Sequence, residues 1–218
     1  MSASVPVAAG DEFSGHPHGE NDRHIVQFYE DDVFLVGAVA DFLVRGIRQG
    51  EPLVVIATPA HRAAVRERLT GGGVDVDRLA EQGGLTMLDA AETLDKFMVD
   101  GRPDRRLYRE VVGTVLAAVA SKSHSGHFCA YGEMVDLLWR GGNRSAAVAL
   151  EEMWNELRNL RAFSLLCSYV VSSFYKESSG LRDICRTHTH VRPVLDRQHP
   201  EQSADNVRAL AAEIGHRK

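Results

Sequence analysis

The sequence predicts an α/β fold, a mainly parallel sheet flanked by helices on both faces. Three observations point there. Short apolar runs recur along the chain and alternate with stretches of helical periodicity, the pattern of strand–helix–strand crossovers. The run from Leu53 to Ala57 is apolar throughout, as a strand covered on both faces must be. Between His127 and Val170 the order reads strand, helix, long amphipathic helix, strand, with Tyr131, Gly132 and Glu133 closing one strand and Cys167, Ser168 and Tyr169 the next. The crevice beyond the carboxyl ends of such strands is where open α/β sheets take ligands.

Residues 1–22 mix glycine, proline, serine and acidic residues without sustained periodicity, and read as a flexible leader. His24 to Tyr29 is apolar enough for a first strand. Asp31 or Asp32 then caps a helix in which Val36, Val39, Leu43 and Ile47 recur at helical spacing, and Gly50 offers its left-handed stop. After the strand Leu53 to Ala57, Pro59 suits the first turn of a helix that carries His61 and Arg62. Leu85 to Leu88, ended by Asp89, is a third strand, and helical stretches over 90–99 and 104–120 follow, parted by Asp100 to Pro103. Phe128 to Tyr131 is the fourth strand. A helix over 144–160 turns Ala146, Leu150, Met153, Leu157 and Leu160 to one face, and Phe163 to Val170 is the fifth strand. Past Phe174 the chain is polar and helical in parts. The organisation expected is a leader over 1–22, one domain over 23–194 and a partly helical tail over 195–218, with a short amphipathic helix at 201–217.

The bulk properties exclude several classes. A chain of 218 residues with 44% apolar content suits one globular domain with tails. Its net charge of −5 leaves no basic face for direct contact with nucleic acid or anionic lipid. The longest apolar run, Val33 to Ala40, stops at Asp41 and is far too short to span a bilayer. No charged region followed by an apolar one marks a secretory signal. Three cysteines, an odd number, argue against a disulfide framework and for a reducing compartment, so a cytoplasmic location is expected.

Several motifs in order carry a family resemblance. They are His24 to Asp32 (HIVQFYEDD), Ala57 to Arg62 (ATPAHR), Leu88 to Ala90 with Phe97 and Met98, Gly132 to Trp139 (GEMVDLLW), Leu150 to Leu157 (LEEMWNEL), Phe163 to Tyr169 (FSLLCSY), and Ile184 to Val191 (ICRTHTHV). Together they resemble the MEDS domain, a sensory domain named after methanogens and methylotrophs, over about residues 23–194. The resemblance implies a RecA-like α/β core related to circadian-clock-type ATPases. It also implies a ligand-sensing role coupled to kinase, DNA-binding or anti-anti-sigma output. Because this chain ends soon after the domain, its output is expected to come from a separate regulatory protein partner: a kinase, an anti-sigma-type factor or a DNA-binding protein. A homodimer is left open.

A RecA-like ATPase needs a glycine-rich loop ending in Gly-Lys-Ser/Thr between its first strand and helix, where backbone amides and the lysine hold the phosphates. Here that junction runs Tyr29, Glu30, Asp31, Asp32. Three carboxylates there would repel a triphosphate by ~1–4 kcal/mol per close charge pair. ATP hydrolysis is not expected, although at least one of the two aspartates serves simply as a helix cap.

The candidate ligand site is therefore Tyr29, Asp31, His61, Tyr131, Glu133 and Cys167, expected to converge on a small molecule of apolar character at the strand ends. Glu133 reads equally as a helix N-terminal carboxylate stabilised by the dipole. His24 and His61 each read also as structural hydrogen-bonding histidines. Cys185, His188 and His190 are of metal-ligating type and raise the prospect of zinc, yet no second local pair accompanies them. Cys129 and Cys167 lie in apolar strands, where free cysteine packs as a small hydrophobe. No G-x-S-x-G elbow and no Ser-His-Asp order is present, so no catalytic residue is assigned. Three functions follow in order. First comes a non-catalytic sensory module that signals to a partner. A metal-assisted hydrolase or divergent nucleotide-handling enzyme is second, and a pure protein-interaction module is third.

Overall fold

The apolar runs become strands at the expected places in a computed structural model that describes residues 23–174 and 178–192. β1 (His24–Tyr29) leads through an Asp31 cap into α1 (Asp32–Arg48). β2 (Leu53–Ala57), α2 (Pro59–Gly71), the short α3 (Val76–Glu81) and β3 (Leu85–Asp89) follow. Gly50 adopts φ +68°, the left-handed conformation that a helix stop favours.

The segment 90–103 departs from expectation. The helix predicted over 90–99 ends early, as α4 (Ala90–Asp95), and β4 (Met98–Val99) pairs antiparallel with β5 (Arg102–Pro103). Asp100 and Gly101 make the turn with φ of +48° and +74°, and an Asp-Gly pair favours this two-residue hairpin geometry. The helix over 104–120 forms in three parts, α5 (Arg105–Tyr108), a π-helical stretch Arg109–Gly113, and α6 (Thr114–Ala120).

β6 (Phe128–Gly132), α7 (Met134–Arg140), α8 (Arg144–Leu160) and β7 (Phe163–Val170) complete the expected series. One position on α8 differs, since Leu160 is 71% exposed and the apolar face ends at Leu157. Beyond Phe174 come α9 (Ser178–Thr187) and a sixth strand, β8 (His190–Arg192), which the sequence did not suggest. The expected leader over 1–22 and the helix at 201–217 lie outside the described residues.

The six main strands run β3-β2-β6-β7-β1-β8, every pair parallel. Side chains alternate between two apolar layers, as the two-residue period of a strand requires. Ile25 and Tyr29, Leu53 and Val55, Cys129 and Tyr131, and Leu166 face the layer beneath α1, α2 and α3. Val26 and Phe28, Val54 and Ile56, Phe128 and Ala130, and Leu165, Cys167 and Tyr169 face the opposite layer, which α4 to α9 cover. Gly46 shows how closely a helix lies on the sheet, because a Cβ there would stand 2.9 Å from Cys129 Sγ and from Leu53 Cδ2. No helix of the described residues is long and apolar enough to cross a membrane.

Candidate functional site

Two polar clusters sit in this fold, one at the carboxyl edge of the sheet and one inside it. The first is built by α1, α2 and α7. Asp31 caps α1, its Oδ1 accepting from the Phe34 amide at 2.7 Å, so that first-turn amide is already engaged. Asp32, one residue on, is exposed. Thr58 caps α2, and Pro59 in the first turn brings His61 round to the sheet edge. Glu133 stands between β6 and α7, fully buried.

These placements give a chain of contacts. His61 Nδ1 lies 2.8 Å from Glu133 Oε1, and His61 Nε2 lies 3.3 Å from Asp32 Oδ1. Glu133 Oε2 accepts from the Thr58 amide at 3.0 Å, and the Thr58 hydroxyl stands 3.4 Å from both carboxylate oxygens. On the other side Arg140 reaches Glu133 Oε1 at 3.9 Å and Asp136 Oδ2 at 2.9 Å. Asp136 also accepts from the Tyr29 hydroxyl at 3.1 Å and from the Val170 amide at 3.2 Å. The edge is therefore an alternating row of acids and bases, Asp32, His61, Glu133, Arg140 and Asp136, closed by a tyrosine.

The electrostatics follow from that row. The hydrogen bond to Glu133 raises the His61 pKa above the ordinary imidazole value against the opposing effect of burial, and Asp32 adds to the rise. Burial pushes the Asp136 carboxyl up to about 6, with Arg140, the Val170 amide and the Tyr29 hydroxyl pulling it back. Burial first, then Asp136, drives the Tyr29 phenol above its ordinary range.

Of the six residues predicted for the ligand site, Tyr29, His61 and Glu133 belong to this row. Asp31 is near but spends its carboxylate on the helix cap. Tyr131 lies on the same face of the sheet as Tyr29, where Glu133, Tyr29 and Asp136 add to the burial that raises its phenol, whereas alternation sends Cys167 to the opposite face. Tyr131 is fully buried, and its hydroxyl pairs with Ser168 Oγ at 2.9 Å. The residue pattern points to Asp32 only as a cap candidate or repelling carboxylate, and Arg140 and Asp136 lie outside the expected ligand set. An Asp136 four residues before Arg140 on α7 was the available signal, since that spacing brings side chains together.

The second cluster lies under α8. Cys167 from β7 meets His24 from β1, Glu151 from the middle of α8, and His188 from just past α9. One ligand atom from each of the four lies within 4.8 Å of the others, and among the described residues this is the group of histidine, cysteine and carboxylate side chains that converges so. His188 was expected to act with Cys185 and His190. The structure instead buries Cys185 in the apolar layer, where desolvation pushes its thiol up to about 11, and leaves His190 exposed on β8. Glu151 went unnoticed, although residues 147, 150, 154 and 158 form the stripe to which it belongs. A carboxylate inside an apolar helical stripe requires partners. The cluster provides two: Tyr169 donates to Glu151 Oε1 at 2.7 Å, and the Cys167 thiol lies 3.5 Å from Oε2.

With the geometry in view, residues 23–189 match the sequence model of the MEDS domain, the MEthanogen/methylotroph, DcmR Sensory domain, over more than half of the chain. No curated protein matches the chain.

Proposed function

The chain belongs to the MEDS family of sensory domains, and on that premise we propose that it is a non-catalytic sensor. It takes a small molecule at the carboxyl edge of the sheet and passes the occupancy to a regulatory protein partner. The observation that supports this is the buried Glu133 with His61 held against it at 2.8 Å and Asp32 at the exposed end, at the carboxyl edge of the sheet, the side on which open α/β sheets bind ligands.

Two features favour sensing over nucleotide chemistry or hydrolysis. The junction from β1 to α1 carries Glu30, Asp31 and Asp32 in place of glycines and a lysine, and Asp31 occupies the first-turn amide that a phosphate would seek. Both ring nitrogens of His61 face carboxylates, so the ring has no free nitrogen with which to take a proton from a nucleophile. The ionisable edge also favours an amphipathic ligand over a wholly apolar one. A protic or cationic head would compete with His61 for Asp32, while any apolar part would need a dry wall nearby.

Signalling would follow from what His61 joins. It ties the starts of α1, α2 and α7 together through Asp32, its own helix and Glu133. A ligand that displaces one contact prefers the conformation in which those helix ends part, and shifts the population toward it. A thermal-shift panel of small alcohols, amines, amides and hydrocarbons tests this. A concentration-dependent rise in Tm that His61→Gln and Glu133→Gln abolish is expected. No shift from any member, or one that both variants keep in full, overturns it.

A further inference from the structure

We propose that His24, Glu151, Cys167 and His188 form a closed, four-coordinate site for one divalent cation of zinc type. The site is separate from the carboxyl-edge row and does not depend on the sensory reading.

The hydrogen bonds fix which ring nitrogens face the centre of the cluster. Asn155 Nδ2 donates to the Thr187 carbonyl at 2.8 Å, which turns Asn155 Oδ1 toward His24 Nδ1, also at 2.8 Å. His24 Nδ1 must therefore carry the proton, and its Nε2 lone pair points inward, 3.3 Å from Glu151 Oε2 and 3.5 Å from Cys167 Sγ. His188 repeats the arrangement. Its Nδ1 lies 2.7 Å from the Ile184 carbonyl and is the donor there. Its Nε2 is fully buried, has no hydrogen-bond partner, and stands 3.5 Å from Glu151 Oε1. A buried lone pair facing a carboxylate oxygen is an unfavourable contact unless something positive lies between them. Metal-ligating histidines are held in this way, with the far N–H given to a carbonyl or carboxylate.

Distances and charge agree with zinc. Bonds of ~2.0–2.3 Å arranged tetrahedrally put neighbouring ligand atoms roughly 3.3–3.8 Å apart. The separations among Nε2 of His24, Cys167 Sγ and Glu151 Oε2 are 3.3 to 3.5 Å, and with His188 the four ligand atoms lie within 4.8 Å of one another, so the His188 ring swings inward when the ion binds. Two imidazoles, a thiol and a carboxylate are a borderline-soft set suited to zinc over magnesium or calcium. Binding releases the Cys167 thiol proton to solvent. Thiolate and carboxylate then cancel the two charges of the ion, so the buried centre is neutral. With four protein ligands and all of them buried, the site has no place for substrate. Its effect is to tie the end of α9, through His188, to α8 and the sheet.

Cobalt titration of the full chain, stripped with chelator under reducing conditions, tests the site. One equivalent should bind with the intense visible bands of tetrahedral cobalt and a thiolate-to-metal charge-transfer band. Cys167→Ser should lose the charge-transfer band, and Cys185→Ser should keep it. Asn155→Ala, which removes the support of His24 and the hydrogen bond to the Thr187 carbonyl beside His188, should weaken binding by ~10–100-fold. His188→Gln should weaken it further. X-ray absorption of the zinc-loaded natural chain needs no variant, and one sulfur with three nitrogen or oxygen neighbours is expected. Absence of stoichiometric cobalt binding, a sulfur-free shell, or a charge-transfer band that follows Cys185 overturns the proposal. In the first of these cases the two lone pairs share a proton with Glu151 instead.

Discussion

His61 Nδ1 and Glu133 Oε1 stand 2.8 Å apart with the carboxylate wholly enclosed, so the charge of the ring and the fate of the buried acid are one question. The carboxylate prefers a protonated imidazole beside it, and the raised His61 pKa expresses that preference.

The first prediction is a pH dependence. A histidine whose pKa is higher folded than unfolded binds more protons in the native state between the two values, so unfolding free energy falls as pH rises there. The contribution of His61 is complete below the ordinary imidazole value of about 6.5 and fades as pH climbs through the raised folded value. Melting curves of the natural chain and His61→Gln should therefore converge as pH rises. A constant difference from about pH 5 to about pH 9 would count against the pair.

Glu133→Ala should destabilise the fold by about 1–3 kcal/mol, because the Thr58 amide and the His61 ring both lose their acceptor in a buried place. Urea unfolding at constant m-value measures this. Glu133→Gln retains an acceptor for Thr58 and should cost less. Equal costs for the two variants would mean that His61 takes little from the charge.

Tyr29→Phe removes one donor from Asp136, whose carboxyl already sits at about 6 through burial. Its pKa should move higher in the variant, and stability should drop by about 0.5–1.5 kcal/mol. Carboxyl-carbon NMR titration follows the first effect directly. An unchanged Asp136 would show that the Val170 amide and Arg140 hold it unaided.

Gly180→Ala should loosen α9. A Cβ there would come within 2.5 Å of Trp139 Cη2, against an indole that stacks on Phe174 at 4.8 Å and has no room to yield. A cost of about 1–3 kcal/mol is expected for such overpacking, with faster amide exchange concentrated in α9. Gly37→Ala is the control. It meets nothing within 4 Å inside α1, so it should stabilise by roughly 0.5–1 kcal/mol.

Much of the layout was legible from residue patterns. β1, β2 and β7 keep their expected ends, β3 and β6 gain one residue each, and α8 spans 144–160 as its periodicity implies. The hairpin at Asp100-Gly101 reads only as a separator in the sequence, because the flanking strands of two residues are too short to show alternation. β8 escaped for the same reason. It is three residues long, partly exposed, and owes its place to pairing with β1.

The site was legible in part. Tyr29, His61 and Glu133 were found because strand ends and helix starts can be read locally. Cys167 falls on the other face from Tyr131 although both close strands, because the side on which each lies depends on register, which a single sequence does not display. His24, Glu151, Cys167 and His188 come from four separate stretches of chain, so only packing assembles them.

Cys167 and Ser168 are consecutive, yet the thiol belongs to the cluster under α8 and the hydroxyl to the tyrosine beneath α1. One peptide link thus carries the boundary between the two halves of the protein's polar interior. Sliding β7 by a single step would exchange the two groups and ruin both, which bars any creeping motion along the strand.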